Sequence, residues 1–166
     1  MQNHNATGRS VGAHRPAGRA RRSQLDEPFV MLPLSLMDSM GWRCLSSPAR
    51  KIIDFLLREY MRSAGRENGR LLAPYIQIQA VGVSRRDIAG AFRELEAFGI
   101  VRSTKSALRL EGRRGATRYA LTWLPTADGA LPTNDYKRVS RQTVEAFALE
   151  KTAEAKRRRE RVRVTG

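Results

Sequence analysis

The chain contains a single cysteine, Cys44, and only two histidines, His4 and His14, both in its polar leading segment. An internal disulfide is therefore impossible. Zinc sites and Cys/His or Ser/His/Asp catalysis lack their residues. No apolar run approaches the roughly 18–20 residues of a membrane span. The opening MQNHNATGRS has no apolar stretch behind it, so no secretory signal is visible. No Walker-type glycine loop occurs. Asp54 and Asp87 have local roles, described below, and no pair of carboxylates is left at a spacing suited to a metal or to acid–base chemistry. These absences point away from an enzyme and imply no cofactor, no metal and no small-molecule ligand. They make the expected compartment the bacterial cytoplasm.

Acidic residues are scarce as well. The 166 residues hold 31 Lys and Arg against 16 Asp and Glu, a formal charge of +15. That balance favours a polyanionic partner. Three zones differ in composition. Residues 1–27 are Gly, Ala, Arg, Ser and Asn with almost nothing large and apolar, and carry a net +3. Such a segment buries too little surface to offset its ordering entropy and is expected to be a disordered basic arm. Residues 28–125 hold both tryptophans and a net +8, and are expected to form the folded domain. Residues 126–166 open with the Pro/Gly/Asn-containing TADGALPTNDYK and end in a charged helical pattern, with a net +4. They are read as a linker and a basic C-terminal helix or tail.

Within the central zone the periodicities are clear. Ser47 followed by Pro48 reads as an N-cap with proline in the first turn. Ala49, Ile52, Ile53, Leu56, Leu57 and Tyr60 then fall on one helical face. Asp54 and Arg58 make a favourable i,i+4 pair, and Gly65 is placed to end the helix. A short helix is expected over 34–40, with Trp42 and Leu45 leading on from it. Cys44 reads as a small buried apolar residue. Asn68-Gly69 is a turn signal, followed by a short strand at 70–72 and a short helix from Pro74 to Ala80. Val81-Gly82-Val83 is a tight turn in which Gly82 takes positive φ. Ser84 and Asp87 are spaced as a capping box, and Ile88, Ala91, Phe92 and Leu95 repeat at helical spacing before a C′ glycine, Gly99. Two strand-like runs, 100–110 and 116–124, bracket a glycine-flanked basic loop, with Tyr119, Leu121 and Trp123 expected on one face. Trp42, Trp123, Tyr60 and Tyr119 lie on apolar stripes and read as core rather than as base-stacking platforms.

The order is helix, short strand, short helix, tight turn, capped helix, hairpin. From Phe29 to Pro125 the chain resembles the winged helix-turn-helix DNA-binding proteins of bacterial plasmids, integrative elements and phages. The resemblance rests on LSSPAR at 45–50, NGRL at 68–71, GVS at 82–84, ELEAFGI at 94–100 and RYALTW at 118–123. It implies an α+β, mainly helical fold of three to four helices with a C-terminal β-hairpin wing. It also implies a recognition helix at 84–98 for the major groove of double-stranded DNA and a wing at 109–118 for the backbone or minor groove.

The residues themselves lead the same way. Taking Ile88 as the centre of the buried face and advancing about 100° per residue, Arg86, Gly90, Arg93 and Ala97 land opposite, with Ala89 at the edge. Small residues let a helix approach base edges, and arginine pairs bidentately with guanine. Ser84 and the first amides of the helix could hold a phosphate. Glu94 and Glu96 lie towards the far half, away from the phosphates. The candidate contacts are thus Ser84, Arg85, Arg86, Ala89, Gly90 and Arg93 on the helix, and Arg109, Arg113, Arg114 and Arg118 on the wing. The bland alternatives are a solubilising charge stripe and a solvated turn.

The first functional expectation is sequence-specific double-stranded DNA binding, as a transcriptional regulator of a mobile element. A second is replication initiation or partition, which repeated sites at an origin would favour. A third is an RNA-binding basic protein, although A-form RNA narrows the groove such a helix would enter. Whether the protein is a monomer or a homodimer, and whether either basic tail touches nucleic acid, stays open at this level. Val144, Phe147, Ala148, Lys151 and Ala155 form a narrow stripe on the C-terminal helix. It could dock on the core, pair with a second copy or present Lys156–Arg159 to DNA.

Overall fold

The structure is a computed structural model that describes residues 27–104 and 117–164. It is an α+β fold in which helices predominate. The helices are α1 (Leu34–Met37), α2 (Met40–Arg43), α3 (Ser47–Arg62), α4 (Tyr75–Ala80), α5 (Arg85–Ala97) and α6 (Arg141–Val164). The strands are β1 (Leu71–Leu72), β2 (Val101–Thr104) and β3 (Arg118–Leu121), and a 3₁₀ turn spans Asp135–Arg138. All three strands are antiparallel, in the order β1-β3-β2, with Val101 opposite Leu121 and Leu71 opposite Tyr119. The arrangement is compatible with the winged-helix expectation. No helix among the described residues is long and apolar enough to cross a membrane. The basic arm at 1–26 and the loop carrying Arg109, Arg113 and Arg114 lie outside the described residues.

The apolar periodicity of α3 does what its spacing predicts. Ala49, Ile52, Ile53, Leu56 and Leu57 are buried, and Phe55 joins them. With Ile78 of α4, Ile88, Phe92 and Leu95 of α5, and Leu71, Val101, Tyr119 and Leu121 of the sheet they form one core. The ring edges of Trp42 and Trp123 meet at 6.5 Å between centroids within it.

Several local expectations are corrected. The N-cap of α3 is Ser46 rather than Ser47, and Pro48 occupies the second helical position. The helix expected over 34–40 is two single turns, broken where Ser39 caps α2 by accepting from the Trp42 amide. That turn carries Trp42 inward and leaves Cys44, at the helix end, exposed beside Met40. Arg58 donates to the carbonyl oxygen of Asp54 at 3.4 Å, not to its carboxylate. Strand β3 ends at Leu121, and Trp123 is buried from the turn beyond it. Tyr119, Ala120 and Leu121 are buried consecutively. The alternation is lost because residues 124–133 fold back, so that Leu124, Leu131 and Thr133 share a narrow crevice with Arg102 and Ala120 on the outer face of the sheet.

That return has an anchor. Asn68 is buried, its amide nitrogen donates to the carbonyls of Leu121, Leu124 and Pro125 at 3.0 Å each, and its oxygen accepts from the Leu121 amide at 2.7 Å. The expected turn residue is also the hub that fixes where the chain leaves the sheet. Beyond it, the segment read as a linker packs on the body. Tyr136 is among the most completely buried side chains, and its hydroxyl bonds Ser35 at 3.0 Å.

Gly99 allows that packing. Its φ is +62°, and a Cβ there would lie 2.6–2.8 Å from backbone atoms of Asp135 and Tyr136. Positive φ and backbone contact both forbid a side chain. Replacing Gly99 with Ala should lower stability by about 2 kcal/mol or more. The denaturant midpoint checks this, and a shift within error would show that the 135–136 backbone yields freely.

Candidate nucleic-acid interface

Helix α5 is held from beneath by four consecutive contacts of the expected kind. Ile88, Ala91, Phe92 and Leu95 face the core, and the Phe92 ring stacks on Tyr119 at 4.2 Å and 11°. The turn before the helix is fixed too. Gly82 takes φ +81°, and the ammonium of Lys51 on α3 donates to its carbonyl at 2.9 Å. Ser84 is the N-cap residue, as its position predicts, but its hydroxyl makes no capping bond. The Asp87 carboxylate lies 3.7 Å from Nε of Arg86 instead. The capping box is therefore not formed; aspartate is one methylene shorter than the glutamate that closes such a box.

On the opposite face, Ser84, Arg85, Arg86, Ala89 and Arg93 are exposed and Gly90 is half-buried. Nothing lies within 4 Å of where a Cβ on Gly90 would be, so no packing demand accounts for this glycine. Arg118 is half-buried on β3, opposite Leu72 and Thr104, and does not line the groove that α5 shares. Arg50 is turned inward, donating to the Trp42 carbonyl at 2.7 Å with its guanidinium 5.0 Å from that indole.

A second helix stands beside this face. Helix α6 docks along α5 and leaves a groove of about 810 Å³ between them. Arg86, Ala89, Gly90 and Arg93 form one side of the groove, and Phe147, Lys151 and Glu154 are on the other. Three contacts pin the pair. Phe98 and Phe147 meet edge to face at 5.4 Å, Lys151 donates to Glu94 at 2.9 Å, and Arg93 donates to Glu154 at 2.8 Å. Of the fates open to the C-terminal stripe, docking on the core is the one observed.

Glu94 was expected to be a remote surface acid. It is 2% exposed, and it also accepts from the Ser46 amide at 2.5 Å and the Ser46 hydroxyl at 2.8 Å. A carboxylate thus sits at the positive end of α3, where the helix dipole favours it. The one signal for this arrangement was Lys151 inside an otherwise apolar stripe, which calls for an acid across the interface.

Tyr119, beneath α5, is pushed up to about 12 by burial, with the Glu96 carboxylate and Tyr75 adding to the effect. An unfolded phenol ionises near 10. The folded state therefore holds this proton more tightly, and its contribution is intact below pH about 10 and lost as pH rises towards about 12. Tyr119→Phe should remove this part of the alkaline loss of stability. Denaturant midpoints at about pH 9 and 11.5 for both proteins test it, and parallel losses would contradict it.

Comparison of the chain with protein-family models, with curated proteins and with solved structures finds no match in any of the three.

Proposed function

We propose that the protein binds double-stranded DNA in a sequence-specific way, with α5 entering the major groove, and regulates transcription from a mobile genetic element. The observation that carries this reading is the face of α5. Arg86 and Arg93 flank Ala89 and Gly90 on a helix whose other side is locked to the core, along the groove shared with α6, and Arg93 would leave Glu154 to reach a base. Two arginines separated by residues without bulk suit close approach to base edges and bidentate pairing with guanine. The uncapped Ser84 hydroxyl and the first amides of α5 are free to take a phosphate. The charge of +15 supplies the sequence-independent attraction such docking needs. Under this reading the antiparallel pair β2–β3 is the base of a wing, with Arg118 at its root and Arg109, Arg113 and Arg114 on its loop.

The discriminating experiment is a selection of sheared genomic DNA by the purified protein at near-physiological salt with excess competitor. Sharp peaks sharing a motif support the reading. Their position at promoters or at a replication origin separates regulation from initiation or partition. Retention that scales only with fragment length would defeat it.

Three variants test the face directly. Arg86→Ala and Arg93→Ala should each cost about 1–3 kcal/mol of binding and relax base preference; equal losses on every sequence would restrict these arginines to phosphates. Gly90→Ala should raise folding stability by about 1 kcal/mol, because it adds helix propensity where there is room for a methyl group. It should at the same time weaken binding to the selected motif. A thermal midpoint and a binding isotherm moving in opposite directions would distinguish a working surface from a poorly built helix.

A further inference from the structure

Helices α5 and α6 run antiparallel. Along α6 the pinned positions ascend from Phe147 through Lys151 to Glu154, while their partners on α5 descend from Phe98 through Glu94 to Arg93. Ala155 then lines the groove that Arg86 and Gly90 also line. The helix does not stop there. It continues to Val164, nine residues and about 13 Å further at 1.5 Å per residue. Its direction carries that extension towards the end of α5 where Ser84, Arg85 and Arg86 stand.

The composition of α6 changes at the same point. Of its four acidic residues, Glu145 is paired with Arg141 near the start, and Glu150 and Glu154 line the groove. The stretch 156–163, KRRRERVR, has six basic residues and one acidic residue. Lys156 and Arg157 are exposed. An amphipathic face for a membrane surface is missing, since Val162 is the only apolar residue in the stretch.

Helices in contact lie about 8–10 Å apart, and the major groove is about 12 Å wide. A helix beside one that lies in the groove therefore stands over the sugar–phosphate strand bordering it. We infer that the basic end of α6, entered at the exposed Lys156 and Arg157, is a clamp on the phosphate backbone of the same duplex that α5 reads. The inference rests on the DNA-binding reading and adds to it a second element with a different task. It contributes attraction and register, and α5 contributes base choice.

The test uses the full-length chain and a labelled duplex of about 30 base pairs of arbitrary sequence, titrated between about 50 and 200 mM salt. The variant is K156Q/R157Q; the control is R138Q/R141Q, which removes two exposed charges, one from the 3₁₀ turn before α6 and one from its first residue. Thermal midpoints confirm that both fold. The clamp variant should flatten the salt slope by about 1–2 and weaken binding about tenfold at about 0.1 M salt. The control should change affinity by no more than about twofold. An unchanged slope in K156Q/R157Q, or an equal loss in the control, overturns the clamp while the effects of Arg86→Ala and Arg93→Ala stand. A wild-type protein that retains no duplex overturns the DNA reading and the clamp together.

Discussion

Glu94 is the side chain that ties α5 to both α3 and α6. A buried carboxylate is costly unless its lone pairs are met. Here the amide and hydroxyl of Ser46 and the ammonium of Lys151 meet them. One side chain thus ties the start of α3 and the middle of α6 to the back of α5. The dependence is mutual. Ser46 has no side-chain capping bond of its own because its hydroxyl is donated to Glu94. Without the acid, α3 would begin with an orphaned amide and hydroxyl, each costing about 1–3 kcal/mol if left buried and unpaired. The groove would also lose the contact that sets the distance between its walls.

Rigidity behind and freedom in front follow from the same layout. Phe92 stacked on Tyr119 and the Lys51–Gly82 bond fix the tilt and the starting point of α5. The contact across the groove is of another kind. The Arg93–Glu154 pair is about half exposed on both sides, and such pairs are worth at most about 1 kcal/mol. The Lys151–Glu94 pair differs in that its carboxylate is buried, so that contact is the firmer of the two across the groove.

What could be read from the sequence was whatever is local. The apolar repeat at 49–57, the 82–84 turn and the 88–95 repeat are each contained within a few turns of chain, and each is found where the spacing puts it. What escaped depends on partners far away in sequence. Asn68 reads as a turn residue because its neighbour is Gly69; its bonds to 121–125 are 53–57 residues distant. Tyr136 lies in a polar, proline-containing stretch that resembles a linker, and its partner Ser35 is 101 residues away. Cys44 was misplaced for the opposite reason. Its apolar neighbours suggested burial, but a single helical turn at 40–43 is too short to bury every side, and Trp42 takes the inner one. The groove was illegible on both counts, since it exists only once Phe98 and Glu94 have found Phe147 and Lys151.

The placement of acids offsets part of the positive charge of the chain. Paired acids are placed next to cations throughout the body: Glu59 on Arg62, Asp87 beside Arg86, Asp135 beside Arg138, Glu145 on Arg141 and Glu154 on Arg93. Glu94 serves the interior. These pairs offset only part of the cationic surplus, and the exposed Arg85 at the start of α5 and the exposed Lys156 and Arg157 on α6 belong to none of them. A compact state with +15 pays for its charge in self-repulsion. Any polyanion that binds the folded form relieves that repulsion and raises stability by mass action. Under the DNA-binding reading, folding and binding would therefore be coupled, and the exposed Arg85 on α5 and Lys156 and Arg157 on α6 would contribute to that coupling.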